Sequence, residues 1–351
     1  MAKRSSRHFP PNALWDLPDR SASNFLKLMQ VCKLNSLVLS LGAGVSASAG
    51  LPDWGKLLRR ICGAFFYHWE YLHEGGRITF DRPPKKLSIV FAHEYAWSRE
   101  SIETAEIFAG GDSLLVAQQI KNCIRNIDWT WLLRRALYDD ENEDRHTGKP
   151  SILIETIVKL CTSPAINIGA IINYNYDDLV ERCLKSMGVD HKPIFAEPHI
   201  PHAGTLPVYH PHGFLPLGGG PANTQFVLAE TDYHQHVAEP HSWSNLVQLQ
   251  FFATSSCIFI GASMKDPAVR RMLRLAQTTH HTHHFAFLPI SIPKTQRGIM
   301  FDSLFDRDAI ALGVHVIRYN PIQEGQVTHG RLVELLNLLI AGMNDESILW
   351  I

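Results

Sequence analysis

Three short polar segments carry residue types that are suited to chemistry. They are Asn173-Tyr-Asn-Tyr-Asp-Asp178, His210-Pro-His-Gly213 and Gly261-Ala-Ser-Met-Lys-Asp266. Each follows an apolar run that predicts a strand, and ligands of open α/β sheets bind beyond the carboxyl ends of strands. An imidazole titrates near neutral pH and serves as a general base. The polar groups of these segments are therefore candidates for a site.

The same residues also have structural explanations. Asp177 or Asp178 is able to cap the helix that follows, and Asp266 stands before a proline at a predicted helix start. The chain contains 19 histidines, so a single histidine carries little weight. His210 falls on the opposite side of an extended backbone from His212 and is the weaker candidate for a base.

A glycine-rich turn precedes the three segments. The apolar run Ser36–Leu41 predicts a buried strand, and Trp54–Ile61 has helical spacing. Gly42 and Gly44 lie between them, where missing side chains let a backbone turn and approach phosphate. The following helix N-terminus would offer free N–H groups to an anion. A plain tight turn before a helix is the alternative explanation.

Taken together, the four segments resemble the sirtuin family. Residues 42–53 run through small and hydroxylated residues to Gly50-Leu-Pro-Asp53, as the glycine loop of that family does, with Trp54 for its aromatic residue. Segment 173–178 is similar to the family's Asn-x-Asp element, with Tyr174 in place of Thr or Gln. His212 matches the histidine of its His-Gly pair, and residues 261–263 resemble its Gly-x-Ser element.

The resemblance implies that the chain binds NAD as its substrate and needs no metal. It implies catalytic roles for Asn175 and His212, with Asp177 holding the nicotinamide carboxamide. The implied NAD contacts are Gly42, Ala43, Gly44, Ser46, Asp53, Asp177, Gly261, Ser263 and Asp266. The run His280–His284 is interpreted as a polar loop rather than a metal site, because no matching carboxylate or cysteine set accompanies it.

Two departures separate the chain from the protein deacylases of the family. Gly55 stands where those enzymes usually carry arginine, and the six cysteines are scattered with no C-x-x-C pair, so the four-cysteine zinc ribbon is missing. Together with a large helical insert, these departures favour water as the acceptor. The expected activity is then NAD glycohydrolase, which releases nicotinamide and ADP-ribose. The alternatives are a deacylase or ADP-ribosyltransferase, a non-catalytic NAD or ADP-ribose sensor, and an ordinary dehydrogenase.

The run from Ser263 through Asp266-Pro267 resembles bacterial sirtuin-like proteins of antiphage defence. That resemblance implies a homo-oligomer working with a partner, such as a HerA-type ATPase or an Argonaute-like sensor. The net charge of -1 favours neither nucleic acid nor an anionic membrane as a ligand. With scattered cysteines, no apolar run of about 18 residues and no apolar signal core, we expect a cytoplasmic protein without a membrane span.

Alternating strand and helix patterns predict an α/β fold, a Rossmann-like parallel sheet with an inserted, mainly helical subdomain. We expect residues 1–351 to form a single domain, with the helical insert at about 56–162. Predicted strands after the insert cover 165–173, 207–210, 226–228, 256–261, 284–289 and 313–319. Predicted helices cover 24–34, 102–108, 113–126, 129–137, 178–187, 243–253, 268–278 and 330–343. The apolar end Ser347–Ile351 is predicted to pack on the core rather than on another copy.

Overall fold

Seven strands form one sheet in which every pairing is parallel, in the order β3-β4-β2-β1-β5-β6-β7. The computed structural model describes residues 14, 17–62, 113–123, 126–138, 149–196, 202–219, 225–279, 282–323 and 326–345. The strands are β1 (Leu37–Leu41), β2 (Ile168–Asn173), β3 (His191–Ile194), β4 (Leu206–Tyr209), β5 (Ser256–Ile260), β6 (His284–Pro289) and β7 (Val314–Tyr319). A separate antiparallel pair joins β8 (Ile322–Gln323) to β9 (Gln326–Val327).

The helices precede, follow and connect these strands. They are α1 (Asp19–Leu34), α2 (Ala43–Ala47), α3 (Ser113–Cys123), α4 (Asn126–Tyr138), α5 (Ile152–Thr162), α6 (Leu179–Ser186), α7 (Glu230–Ala238), α8 (Trp243–Thr254), α9 (Pro267–Thr279), α10 (Gln296–Ile310) and α11 (Gly330–Asn344). Residues 54–62 are helical as well. The alternation of strands and helices confirms the predicted Rossmann-like α/β fold.

Both faces of the sheet are covered by apolar side chains. Every residue of β1 and of β5 is buried, as expected for central strands of a parallel sheet. One core cluster joins the sheet to α1, α5, α6 and α11, and the other joins it to α8, α9 and α10. This double cover leaves the carboxyl ends of the central strands as the place where polar side chains gather.

Five of the six strands predicted after the insert are confirmed, and the one predicted at residues 226–228 is wrong. Residues 226–228 form no strand, because the Val227 N–H donates to the carbonyl of His212 and so supports a loop instead. The edge strand β3 was not predicted. Its sequence His-Lys-Pro-Ile lacks the apolar alternation of a half-buried strand, and its proline is tolerated at a sheet edge.

The helices depart from the sequence predictions in several places, and the short helix α2 and helix α5 were not among the predicted ones. The first helix begins at Asp19, five residues before its predicted start. Helices α7 and α10 were not predicted, because Asp232 and Ala309 are the only fully buried residues of their spans. A helix with so little buried surface has no apolar stripe directed at the core for the sequence to reveal.

The described part of the segment between β1 and β2 contains helices and no strand. The predicted helices at 113–126 and 129–137 are confirmed as α3 and α4. The predicted helix at 102–108 and the apolar end at 347–351 lie outside the described residues. The division into one domain with an insert at about 56–162 stays a prediction. Among the described helices, none is long and apolar enough to cross a membrane.

Candidate functional site

One cavity of about 700 Å³ lies beyond the carboxyl ends of β1, β2, β4 and β5. Its volume falls in the range typical of small-molecule sites. All eleven residues that the sequence predicted for the site line it, and they are Gly42, Ala43, Gly44, Ser46, Asp53, Asn175, Asp177, His212, Gly261, Ser263 and Asp266. Four segments that are far apart in the sequence therefore converge on one hollow.

The glycines of the first loop allow two backbones to pack together. A Cβ atom on Gly42 would lie 2.6 Å from the Cα of Ala262, and one on Gly44 would lie 2.9 Å from the carbonyl oxygen of Gly261. The Gly44 N–H donates to that same carbonyl at 2.8 Å. Gly261 has φ +65 and also leaves no room for a side chain, because an added Cβ atom would lie 2.5 Å from the Val45 nitrogen. The loop after β1 and the loop after β5 thus form one wall of the cavity.

The first loop turns directly into a helix. Gly42 is the N-cap of the short helix α2, so a helix begins eleven residues before the one predicted at residue 54. The Gly44 and Val45 N–H groups of α2 donate to the carbonyls of Gly261 and Gly42. Asp53 caps that later helix, and its Oδ1 accepts from the Lys56 N–H at 2.7 Å. Asp53 is exposed and lines the cavity, so it combines the structural role with a position at the site.

Asn175 is buried at the end of β2 and is held from three sides. Its side-chain Nδ2 donates to the carbonyl of Gly42 at 3.1 Å. Its backbone N–H donates to the side chain of Asn173 at 3.2 Å. Its carbonyl accepts from Nδ1 of His210 at 3.0 Å. These contacts fix the amide between the glycine loop and the histidine segment.

His210 and Glu181 form a buried pair that the sequence reasoning missed. Nε2 of His210 lies 2.7 Å from Oε1 of Glu181, and both side chains are almost fully inaccessible to solvent. Because Nδ1 of the same ring donates to Asn175, the pair supports the backbone of a predicted site residue. The sequence carries no distinctive signal for this pair, because a glutamate in the first turn of a helix such as α6 is common for its favourable interaction with the helix N-terminus.

Asp177 is a buried carboxylate with two donors. Oδ2 accepts from the Ser46 hydroxyl at 2.6 Å, and Oδ1 accepts from the Leu179 N–H at 3.1 Å. Burial raises the pKa of Asp177 from 3.8 to about 6, while the hydrogen bonds from Ser46 and Leu179 oppose that rise. The Ser46 bond connects the first loop to the end of β2, as the resemblance implied for a shared site.

His212 lines the cavity and has one ring nitrogen without a hydrogen-bond partner. The residue is 6% exposed, and its Nε2 atom is buried without a hydrogen-bond partner. Burial lowers the pKa of His212 to about 4, although the nearby Asp266 carboxylate opposes the shift. The ring therefore stays neutral at physiological pH and keeps a lone pair available for a proton. The edge of the ring contacts Tyr174, with ring centroids 4.8 Å apart.

Gly213 explains why a glycine follows this histidine. Its φ of +107 lies in the region that favours glycine, and an added Cβ would meet the carbonyl oxygen of Gln225 at 2.7 Å. The Val227 N–H donates to the carbonyl of His212 at 3.0 Å, which closes the loop. The turn at Gly213 and the Val227 hydrogen bond together set the position of the imidazole.

Asp266 acts both as a helix cap and as a cavity residue. Oδ1 accepts from the Ala268 N–H at 2.7 Å at the start of α9, while Oδ2 lies 3.9 Å from Nε2 of His212. Met264, two residues earlier, has φ 58, an uncommon conformation for a residue with a side chain. Ser263 is exposed on the same loop, and its hydroxyl accepts from the Lys265 N–H at 3.3 Å.

Several apolar and aromatic residues complete the cavity wall. Those not singled out from the sequence include Leu57, Leu114, Leu137, Tyr176, Tyr233 and Phe259. Leu114 and Leu137 belong to α3 and α4, so the helical insert forms part of the site. No periodicity in the insert announces this role. Within the described residues, no group of three or more His, Cys, Asp or Glu side chains is arranged to hold a metal ion.

A second hollow of about 970 Å³ lies on the other side of the histidine segment. Tyr209, His210, Pro211 and Gly213 line it, whereas His212 between them lines the first cavity. Its opposite wall comes from the end of α7, the following loop and α8, including His236. The ring centroids of His212 and His236 are 6.2 Å apart, so the two hollows are close neighbours.

Comparison with known proteins links this region to one family. Residues 169–303 match the family model described as SIR2-like domain, which is less than half of the chain. No curated protein matches the sequence. A solved structure described as Sir2Tm bound to a propionylated peptide is similar with a TM-score of 0.35 and 12% sequence identity, covering 93% of this chain and 98% of that chain. The stretch that is similar to the SIR2-like domain carries Asn175, Asp177, His212 and the loop after β5.

Proposed function

We propose that this chain is an NAD glycohydrolase, which splits NAD into nicotinamide and ADP-ribose. One observation carries the proposal: the eleven residues implied by the sirtuin resemblance surround one cavity, and one of them, His212, has an Nε2 atom without a hydrogen-bond partner. The SIR2-like match over residues 169–303 supports NAD as the ligand.

The reaction needs a base and charge stabilisation rather than an acid. The bond between ribose C1′ and the nicotinamide nitrogen breaks with its electron pair moving to that nitrogen, which neutralises the ring. Water adds to C1′, and its proton passes to His212. The neutral imidazole, buried and without another partner, is in the right protonation state to accept it. Positioning and electrostatic stabilisation supply most of the remaining rate.

In this proposal Asp177 and Asn175 contact polar groups of the substrate. An ionised Asp177 accepts a hydrogen bond from the nicotinamide carboxamide and stabilises positive charge that develops on the ribose. Asn175, fixed by Gly42 and His210, orients the ribose or the attacking water. The glycine loop after β1, which lines the cavity, holds the pyrophosphate in this proposal.

The identity of the acceptor, water, is a separate part of the proposal. Gly55 and the missing C-x-x-C pairs separate the sequence from protein deacylases, and Leu114 and Leu137 of the insert line the cavity. The second hollow is the observation that favours another acceptor, because a group bound there would reach the histidine segment from its other side. An ADP-ribosyltransferase or a deacylase is therefore the second candidate.

We also propose that the activity serves antiphage defence as part of a homo-oligomer with a partner protein. Support comes from the run Ser263 to Pro267, which resembles bacterial sirtuin-like defence proteins. An ATPase of the HerA type or an Argonaute-like sensor is the kind of partner that this resemblance implies. Phage challenge of cells that express wild type or Asn175→Ala, with cellular NAD measured over time, tests this role. Equal NAD loss in both strains would contradict it.

The direct test is chromatography of NAD, nicotinamide and ADP-ribose after incubation with purified protein. We expect wild type to release nicotinamide and ADP-ribose in equal amounts, and Asn175→Ala and His212→Ala to release far less of both. The exposed Asn35→Ala and His202→Ala are matched controls that should keep full activity. Nicotinamide release that requires an acylated peptide or a protein acceptor would favour the second candidate. NAD binding without any turnover would leave the sensor alternative.

A further inference from the structure

Helix α10 exposes large apolar side chains on its outward face. Met300 is 51% exposed, Phe301 63% and Leu304 53%. The inward face carries Phe305, which packs on the second core cluster, and the buried Ala309. Single exposed apolar residues are common on protein surfaces, but three within two turns on one side of a helix form a patch of the kind that marks an interface.

Charged residues bracket this patch with opposite signs. Arg297 lies at the start of α10 and Asp308 near its end, eleven residues apart, which is close to three helical turns. Both therefore lie on the same line along the helix as Phe301 and Leu304. We call these four residues the α10 stripe. Its order is basic, apolar, apolar, acidic, so the stripe is complementary to its own reverse.

We infer that the α10 stripe is the contact between two copies of this chain, packed as an antiparallel helix pair around a two-fold axis. In such a pair the two helices run in opposite directions, so a residue near the start of one helix faces a residue near the end of the other. Phe301 then meets Leu304 of the second copy, and Arg297 meets Asp308 of the second copy. Both contacts occur twice because the interface is isologous.

The charge pattern selects a second copy over other occupants. A uniformly acidic or basic partner would suit one end of the stripe and be repelled by the other, whereas the antiparallel copy satisfies both ends. Asp308 also pairs with Arg270 of its own chain, and about half of its side chain remains exposed for a second donor. Methionine and aromatic side chains at the centre are typical of interface cores.

The flanks of the stripe supply the additional contact area. A stable interface buries about 800 Å² per partner, more than two side chains provide. Met300 lies beside the stripe, and Ile292 is exposed just before the helix. The interface inferred here is separate from the proposed active site, because none of these residues lines either hollow.

The test is sedimentation equilibrium of the full chain, alone and in mixtures. We expect wild type to dimerise, and Phe301→Glu, Arg297→Glu and Asp308→Arg each to raise the dimer dissociation constant at least about tenfold. Leu34→Glu, a more exposed apolar residue on the opposite face of the sheet, is the control and should leave the constant unchanged.

Mixing the two charge-reversed chains gives the sharpest outcome. Each variant alone places like charges together, but one Arg297→Glu chain paired with one Asp308→Arg chain restores both opposite pairs. We expect the mixture to dimerise more tightly than either variant alone. A wild-type chain that stays monomeric at every concentration would overturn the inference and leave the face to another protein. A dimer that is insensitive to these substitutions, or a mixture that shows no recovery, would overturn it as well.

Discussion

Nε2 of His212 lies 3.9 Å from Oδ2 of Asp266, beyond hydrogen-bond distance, and both atoms belong to walls of the same cavity. The carboxylate raises the pKa of the imidazole through space, while burial lowers it further than the carboxylate restores. The ring is consequently neutral yet next to a negative charge that would stabilise it once protonated. This arrangement suits a base that must accept a proton during turnover.

Loss of the imidazole should abolish most of the activity. We expect His212→Ala to lower kcat for NAD cleavage by about 10²- to 10⁴-fold, the usual contribution of a general base. The measurement is nicotinamide release at saturating NAD, with His202→Ala as the control. A His212→Ala enzyme with more than a tenth of the wild-type kcat would contradict the assignment.

Asp266→Asn tests the through-space effect separately. Asparagine caps helices as well as aspartate does, so α9 should keep its N-terminus. Removal of the negative charge should lower the pKa of His212 below its present value of about 4 and weaken the base. We expect a several-fold fall in kcat and a downward shift of the imidazole titration followed by NMR. An unchanged titration would show that the two groups are not coupled.

Ser46→Ala should shift the acidic limb of the profile of kcat/KM against pH to a higher pH. The Ser46 hydroxyl donates to Asp177 and thereby opposes the rise of its pKa to about 6. If ionised Asp177 is the active form, kcat/KM falls as the pH drops below about 6 in wild type. The variant loses the donor, so its limb should lie at a higher pH. Ser48→Ala, a neighbouring serine outside the cavity lining, is the control and should keep the wild-type limb.

Gly42→Ala should destabilise the fold as well as the site. The new methyl group would lie 2.6 Å from the Cα of Ala262, and that backbone belongs to the paired loop after β5. We expect a loss of about 2 kcal/mol or more in the free energy of unfolding, as for other overpacked positions, together with weaker NAD binding. Gly218→Ala is the control, because a Cβ there meets no atom within 4 Å. Equal unfolding midpoints for the two variants would refute the packing argument.

The convergence of the candidate site residues on one cavity was predictable because these residues follow strands. In a parallel sheet every strand ends at the same edge, so polar segments after β1, β2, β4 and β5 are brought together by topology alone. The sequence also indicated the fold, since apolar runs alternate with amphipathic segments. What the pattern did not reveal is the partner of each residue. The glycines at 42 and 44 were interpreted as room for phosphate, and their missing side chains make room for the backbone at 261 and 262.

Tertiary contacts account for the features that the sequence did not predict. The pairing of Glu181 with His210 depends on how α6 lies against the end of β4, which no local periodicity encodes. The strand predicted at 226–228 has the right residue types, but its backbone supports the loop of His212 instead of a neighbouring strand. Helix α10 escaped notice because its apolar side chains are directed outward rather than at the core.

Glu181 acts as a positioning residue in this account, and Glu181→Gln tests that role. The substitution removes the charge facing His210 but keeps the size of the side chain. Breaking a buried pair typically costs about 3 kcal/mol in the free energy of unfolding. If the pair only stabilises the fold, the folded enzyme keeps its kcat. We expect kcat to fall while KM for NAD changes little, because the Asn175 backbone loses its support. A stability loss with unchanged kcat would make the pair purely structural.

The pH dependence of stability offers an independent check on Asp177. Its pKa is 3.8 when unfolded and about 6 when folded, so between these values the native state binds more protons than the unfolded state. The contribution of this group to the free energy of unfolding is therefore greatest below pH 3.8. It falls by about 3 kcal/mol as the pH rises past 6. Asp177→Asn has no carboxylate at this position, so its free energy of unfolding should not show this decrease.

The difference between the two proteins isolates this effect. His212, with a pKa lowered to about 4, has the opposite slope, since its contribution is present above pH 6.5 and is lost as the pH falls. That slope is common to wild type and to Asp177→Asn, so it cancels when one unfolding curve is subtracted from the other. Urea unfolding from about pH 4.5 to about pH 7.5 should show Asp177→Asn gaining stability relative to wild type as the pH rises. A difference that stays constant across this range would mean that the Asp177 carboxylate is not held at an elevated pKa.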